Sequence, residues 1–163
     1  MPSGSVETKT FVASSAFRLL ATLGVLNLAW EIAQLPLYTI WQGGTWREIA
    51  FAVLHCTLGD VLIVLFCGGA VFILTGQRWP KDTGTRMIFM SYFIAFGLAY
   101  TVFSEWLNVA VRKSWTYSGL MPVIPPLDTG LSPVLQWIVL PILASWLTQR
   151  NWAKDGVLPR RRV

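Results

Sequence analysis

Four apolar stretches, roughly residues 17–41, 49–75, 87–110 and 133–149, divide the chain and leave few folds open to it. A hydrocarbon core about 30 Å thick takes ~20 apolar residues of helix, so the first three are long enough to cross a bilayer. The fourth is shorter and carries Pro141, which removes a helical hydrogen bond and predicts a kink. In hydrocarbon every backbone polar group must find its partner within the chain, which for runs of this length means helix. The chain has 163 residues, 54% hydrophobic and only 13% charged, where soluble domains average ~25% charged. These features predict an all-α integral membrane protein, a four-helix transmembrane bundle with a Pro-rich outer loop between helices 3 and 4. The expected divisions are a disordered cytoplasmic N-terminus over 1–16, the transmembrane domain over 17–149, and a basic cytoplasmic tail over 150–163.

The formal charge of +5 raises the question of nucleic acid, and its distribution answers it. Of the thirteen lysines and arginines, Lys9, Arg18, Arg78, Lys81, Arg86, Arg150, Lys154, Arg160, Arg161 and Arg162 flank one side of the spans. Only Arg47, Arg112 and Lys113 fall on the other. That asymmetry places both termini in the cytoplasm and reads Arg160-Arg161-Arg162 as a topology signal, with no nucleic acid among the partners. Small residues Ala13-Ser14-Ser15-Ala16 precede the first apolar run, where a signal cleavage site should follow one, so that run is read as a retained helix. Trp41, Trp46, Trp79, Trp115, Tyr117 and Trp152 lie near the span ends, as interfacial aromatic belts do. Cys56 and Cys67 are eleven residues apart, ~16 Å along one helix and too far for a mutual disulfide.

Polar residues inside the spans carry the functional signal. Counting ~1.5 Å per residue from Leu20 puts Glu31 roughly 16 Å deep. A carboxylate there costs at least ~2.5 kcal/mol unless it is paired, hydrated or protonated. Asn27, Glu31 and Gln34 fall at i, i+4 and i+7, so they share a helix face that must look into protein. On the second span His55 lies ~10 Å and Asp60 ~18 Å below the outer surface, roughly 140° apart around the helix. On the third, Thr101, Glu105, Asn108 and Arg112 form a second polar face. Glu105 there has two readings, a pocket shared with Asn108 or an interfacial pair with Arg112 or Lys113. Trp30, Trp106 and Trp137 lie deep enough to line a cavity for a flat apolar ligand. The 114–133 loop holds four of the nine prolines together with Leu120, Met121, Val123, Ile124 and Leu131. Such a loop reads as a rigid, partly apolar lid over the helix mouth.

Glu31, His55, Asp60 and Glu105 are therefore the candidate catalytic residues, with Asn27, Gln34, Asn108, Trp30 and Trp106 as candidate binding residues. Acid and base chemistry on a lipid or isoprenoid-like substrate is one reading, because a buried carboxylate is tuned toward proton transfer near neutrality. A metal held by His55 and carboxylates is a weaker one, since no HxxxH or HExxH spacing occurs. A third is non-enzymatic: a small-molecule or proton-coupled carrier, or an accessory subunit of a membrane complex. Neither GxGxxG, GxxxxGK[ST] nor GxSxG occurs, which removes phosphate-loop and serine-elbow chemistry. The pattern names no cofactor. Its expected partners are membrane lipids and an apolar small molecule, with a homo-oligomer left open.

The runs Trp30-Glu31-Ile-Ala-Gln34-Leu-Pro36-Leu-Tyr38, His55-Cys-Thr-Leu-Gly59-Asp60, Ser104-Glu105-Trp106-Leu-Asn108, Trp115-x-Tyr117 and Met121-Pro122 resemble those of a family of small multi-pass bacterial membrane proteins. The resemblance spans roughly residues 20–145. It implies the fold and a bacterial inner (plasma) membrane location, and brings no assigned activity. Sterol isomerases of the emopamil-binding type are similar in kind, pairing membrane-buried acids with His, Asn and Trp, without a motif that aligns onto these positions.

Overall fold

The computed structural model describes residues 3–76 and 82–154. Helix α1 covers Ser3–Gln34 and passes into a 3₁₀ turn, Leu35–Leu37. The single turn α2, Ile40–Gly43, leads to α3, Trp46–Leu74. Helix α4, Thr83–Glu105, is continued by a π-helical segment, Trp106–Val111. Two-residue strands β1, Val123–Ile124, and β2, Thr129–Gly130, pair antiparallel, and α5 runs over Leu131–Lys154.

Four helices are long and apolar enough to cross a membrane, over Ser14–Leu37, Trp46–Leu74, Thr83–Val111 and Leu131–Thr148. The chain is thus an all-α multi-pass membrane protein, as its apolar runs require. Local chemistry explains where the spans begin. Thr45 and Glu48 form a capping box at the start of α3, the Glu48 Oε2 accepting from the Thr45 amide at 2.7 Å. Asp82 and Thr85 do the same for α4, and hydrogen bonds from the Thr85 backbone and side chain hold the Asp82 carboxyl below its usual range. Pro133 sits in the first turn of α5, where its missing N–H costs no bond. At the other end of α3, Gly76 adopts φ +73°, a left-handed conformation that closes the helix.

The first and last helices run past the expected span boundaries. Helix α1 begins at Ser3 and so runs through 3–16, where a disordered lead-in was expected; no proline interrupts the chain between Ser3 and Leu35. Helix α5 continues to Lys154, into the expected tail. Arg78, Lys81 and Arg160-Arg161-Arg162, which carry much of the charge asymmetry, lie outside the described residues, as does the interfacial Trp79.

The spanning helices form a ring in which α1 packs on α3 and α5, and α4 packs on the same two. Leu23, Val64, Cys67, Phe93, Trp137 and Leu140, drawn from all four, meet in the main core. It lies in the half of the bundle remote from the end where the α1–α3 connection and the 112–130 loop lie. We call that end the loop end. There the loop is stitched to the end of α1: the Thr39 amide donates to the Thr116 carbonyl at 3.0 Å, the Ser118 amide to Leu37 O at 2.8 Å, and Ser118 Oγ to Pro36 O at 2.9 Å. Tyr38 and Tyr117 bridge across the seam, their rings 5.6 Å apart.

Candidate functional site

The polar cluster is assembled from three helices. On α1, Asn27, Glu31 and Gln34 share the buried face expected from their spacing. Asp60 reaches the same place from α3, and Gln136 from α5. Gln136 is the hub. Its Nε2 lies 2.8 Å from Asn27 Oδ1, 2.8 Å from Asp60 Oδ2 and 3.3 Å from Glu31 Oε1. An amide nitrogen has two hydrogens, so the two short bonds use them and Glu31 takes a shared, weaker contact. Glu31 Oε1 also accepts from Gln34 Nε2 at 2.8 Å. The network continues outward, Ser132 Oγ donating to Gln34 Oε1 at 2.8 Å and the Trp30 indole N–H to Ser132 Oγ at 3.2 Å. Asn27 anchors the other side through its Nδ2, which donates to Leu23 O at 2.8 Å.

The carboxyl groups of Glu31 and Asp60 lie within hydrogen-bonding reach of each other. Among the described residues, no lysine, arginine or histidine hydrogen-bonds either one. Both carboxyls accept from the same Gln136 nitrogen, and a direct bond between them requires a proton on one. Both groups line a cavity of about 1190 Å³ that occupies the loop-end half of the bundle. Thr101, Glu105, Asn108 and Arg112, the second polar face read from the sequence, border the same cavity. They do so across the π-helical segment, whose wider turn is marked by the Arg112 amide bonding to Leu107 O at 2.8 Å. π-Helical turns inside α-helices are frequent at functional sites.

Glu105 is not paired with Arg112 or Lys113. It accepts a very short hydrogen bond from the Tyr117 hydroxyl, which in turn accepts from the Gly130 amide at 2.9 Å. Burial, and then the hydrogen bond to Glu105, push the Tyr117 phenol up, so it remains a donor at any ordinary pH. Burial likewise pushes Tyr38 up. Glu105 thus latches the loop to α4. Tyr117→Phe would leave the carboxylate and the Gly130 amide without their partner, at a cost of about 1–3 kcal/mol. Hydrogen exchange at Gly130 should then accelerate, with α3 unaffected; unchanged exchange would show that the latch carries no load.

His55 borders the cavity from an exposed position on α3. Its ring stacks on Phe51 one turn away, with centroids 5.5 Å apart. Among the described residues it makes no hydrogen bond to Glu31, Asp60 or Glu105, and no group of three His, Cys, Asp or Glu is placed to hold a metal. The ~140° between His55 and Asp60 explains the separation. Asn108 borders the cavity but donates to its own helix, at Ser104 O, 2.9 Å away. Trp30 and Trp106 do not line the cavity, whereas Trp137 does. Trp106 is exposed, its ring 6.1 Å from that of Phe103. Two participants were not singled out from the sequence as site residues: Gln136, visible there only as a polar residue on the shortest span, and Ser132.

No protein-family model, curated protein or solved structure matches this chain.

Proposed function

We propose that this chain is a membrane-embedded enzyme that moves a proton at a carbon centre of a lipid or isoprenoid-like substrate. Glu31 and Asp60 act as the acid and base. One observation carries the reading: two carboxyls in mutual reach, without a cation, face a large cavity instead of being packed over. Holding helices together does not account for this, since a polar contact between membrane helices averages only about 0.6 kcal/mol. In the proposed step one carboxyl gives its proton to an unsaturated carbon of the substrate while the partner carboxylate removes a proton from a neighbouring carbon. A double bond shifts, and the pair ends with the same number of protons. Gln136 and Gln34 hold the acceptor oxygens in place, and positioned acid–base pairs of this kind contribute ~10²–10⁴-fold.

The side of the cavity favours chemistry over carriage. Beyond Asp60, the remote half of the bundle is dominated by apolar Leu23, Val64, Cys67, Phe93 and Leu140, and among the described residues no carboxyl, imidazole or side-chain amide continues the cluster through it. The charge asymmetry of the sequence supports both termini in the cytoplasm, with the loop end outward, and the family resemblance supports a bacterial inner membrane. The test is isotopic. Protein held in its native lipids and incubated in D₂O should yield a co-purifying lipid-like molecule carrying deuterium on carbon. Glu31→Gln should slow that labelling by about 100-fold or more. Unlabelled lipid from wild type, together with pH-gradient-driven uptake into proteoliposomes, would replace this reading with that of a carrier.

A further inference from the structure

The three basic residues that stand against the charge asymmetry do not scatter over the loop end. Arg47 in the first turn of α3, and Arg112 and Lys113 just past the π-helical segment, all border the mouth of that cavity. No other lysine or arginine occurs in those two loops. Cations on that side work against the topology signal, so three at a single opening call for a local reason. Among the described residues none of them forms an ion pair. The nearby carboxylates are engaged elsewhere, Glu48 in the capping box with Thr45 and Glu105 with Tyr117. Glu48 and Glu105 do border the cavity, so three positive charges stand at this opening against those two carboxyls. Lys113 has φ 54°, a left-handed conformation that is uncommon and unfavourable for a residue with a side chain.

Two more features belong to the same opening. The Trp115 indole lies beside the Glu105 carboxylate, yet its buried N–H makes no hydrogen bond of normal geometry. It is a donor facing a cavity whose rim is already cationic. Below the rim, Phe51 and Tyr100 line the cavity while remaining 70% and 44% exposed. Apolar, exposed side chains of α3 and α4 thus give the cavity a wall that suits an acyl chain. Thirteen residues separate Arg47 from Asp60, ~20 Å along α3.

We infer that the cavity takes an amphiphile with an anionic headgroup, seated among Arg47, Arg112 and Lys113, its tail running down the α3–α4 side toward Asp60. The reacting carbon is then in the tail, ~20 Å below the headgroup. That placement of the reacting carbon rests on the proton-transfer reading; the headgroup seat does not.

Native mass spectrometry of delipidated protein, titrated with phosphatidylglycerol or with phosphatidylcholine of the same chain length, tests the seat. One phosphatidylglycerol per chain should bind about 30-fold more tightly than phosphatidylcholine, since each basic residue near an anionic lipid is worth roughly a fivefold factor and the rim carboxylates offset part of the three. Arg47→Gln, Arg112→Gln and Lys113→Gln together should abolish the preference. Arg47→Lys with Arg112→Lys, which keeps the charge, should retain it, and Arg86→Gln on the opposite side should leave it untouched. Retention of the preference by the triple variant, its loss in the lysine variant, or its displacement by inorganic phosphate alone would each overturn the assignment. If phosphatidylglycerol binds as expected but deuterium never appears in lipid, the chemistry fails and the headgroup seat stands. Labelling without any headgroup preference means the reverse.

Discussion

Asp60→Asn should raise the unfolding midpoint of the purified protein while stopping deuterium labelling of the bound lipid. Asp60 is held by the Gln136 amide at 2.8 Å and lies in reach of Glu31. An asparagine there keeps an oxygen for Gln136 to bond. Its own NH₂ can donate to Glu31, so every partner remains satisfied and one buried acid is gone. Replacing buried ionisable groups by neutral ones of similar shape is often neutral or stabilising, here by about 1–2 kcal/mol. At this chain length ~1 kcal/mol corresponds to roughly 2–4 °C. The base or acid has meanwhile been removed, so labelling should fall by about 100-fold or more. A lower midpoint with labelling intact would mean that the pair serves the fold and not a reaction.

Gly97→Ala should damage both fold and site although it adds a single methyl. A Cβ at Gly97 would stand 2.1 Å from Trp137 Cε3, 2.7 Å from Cζ3 and 2.9 Å from Cδ2. These are ring atoms in the middle of a packed indole that is only 4% exposed, and they cannot swing aside. Phe93 lies against the same ring, with centroids 6.1 Å apart. The remaining escape is to push α4 away from α5. Overpacking of this kind costs about 1–3 kcal/mol. Because Trp137 directly follows Gln136, the shift also pulls the hub amide away from Asp60, so thermal midpoint and labelling should fall together. Trp137→Phe in the same chain makes room and should recover much of the midpoint. A Gly97→Ala protein that melts like wild type would mean that the two helices do not approach so closely.

The spans could be read from the sequence because apolar content over ~20 residues belongs to the segment itself. Asn27, Glu31 and Gln34 could be placed on one face for the same reason: their spacing is local, and α1 carries no break between them. Asp60 could be matched to the depth of Glu31 by counting residues, and its divergence from His55 by counting degrees. What escaped was everything set by which helix neighbours which. Gln136 becomes the hub only because α5 lies against α1 in the ring, a tertiary fact that no window of sequence holds. Glu105 offered Arg112 and Lys113 as local partners, yet it is Tyr117, returning from the loop, that reaches it. The π-helical turn left no recognisable mark in Trp106–Val111, and the seam between Thr39 and Thr116 joins backbone atoms whose pairing is independent of side-chain identity.

That seam has a mechanical consequence. Because α1 and α4 stand opposite each other in the ring, bonds from Pro36, Leu37 and Thr39 to Thr116 and Ser118 act as a diagonal strut, with the Tyr117–Glu105 bond as its second fastening. A strut across a frame resists splaying of the corners it joins, so the top of the barrel is the stiff direction and the α3–α4 flank the compliant one. Traffic would then be sideways: a guest dissolved in the leaflet slides in between two helices without crossing water, and its arrival rate follows the fluidity of the surrounding lipid.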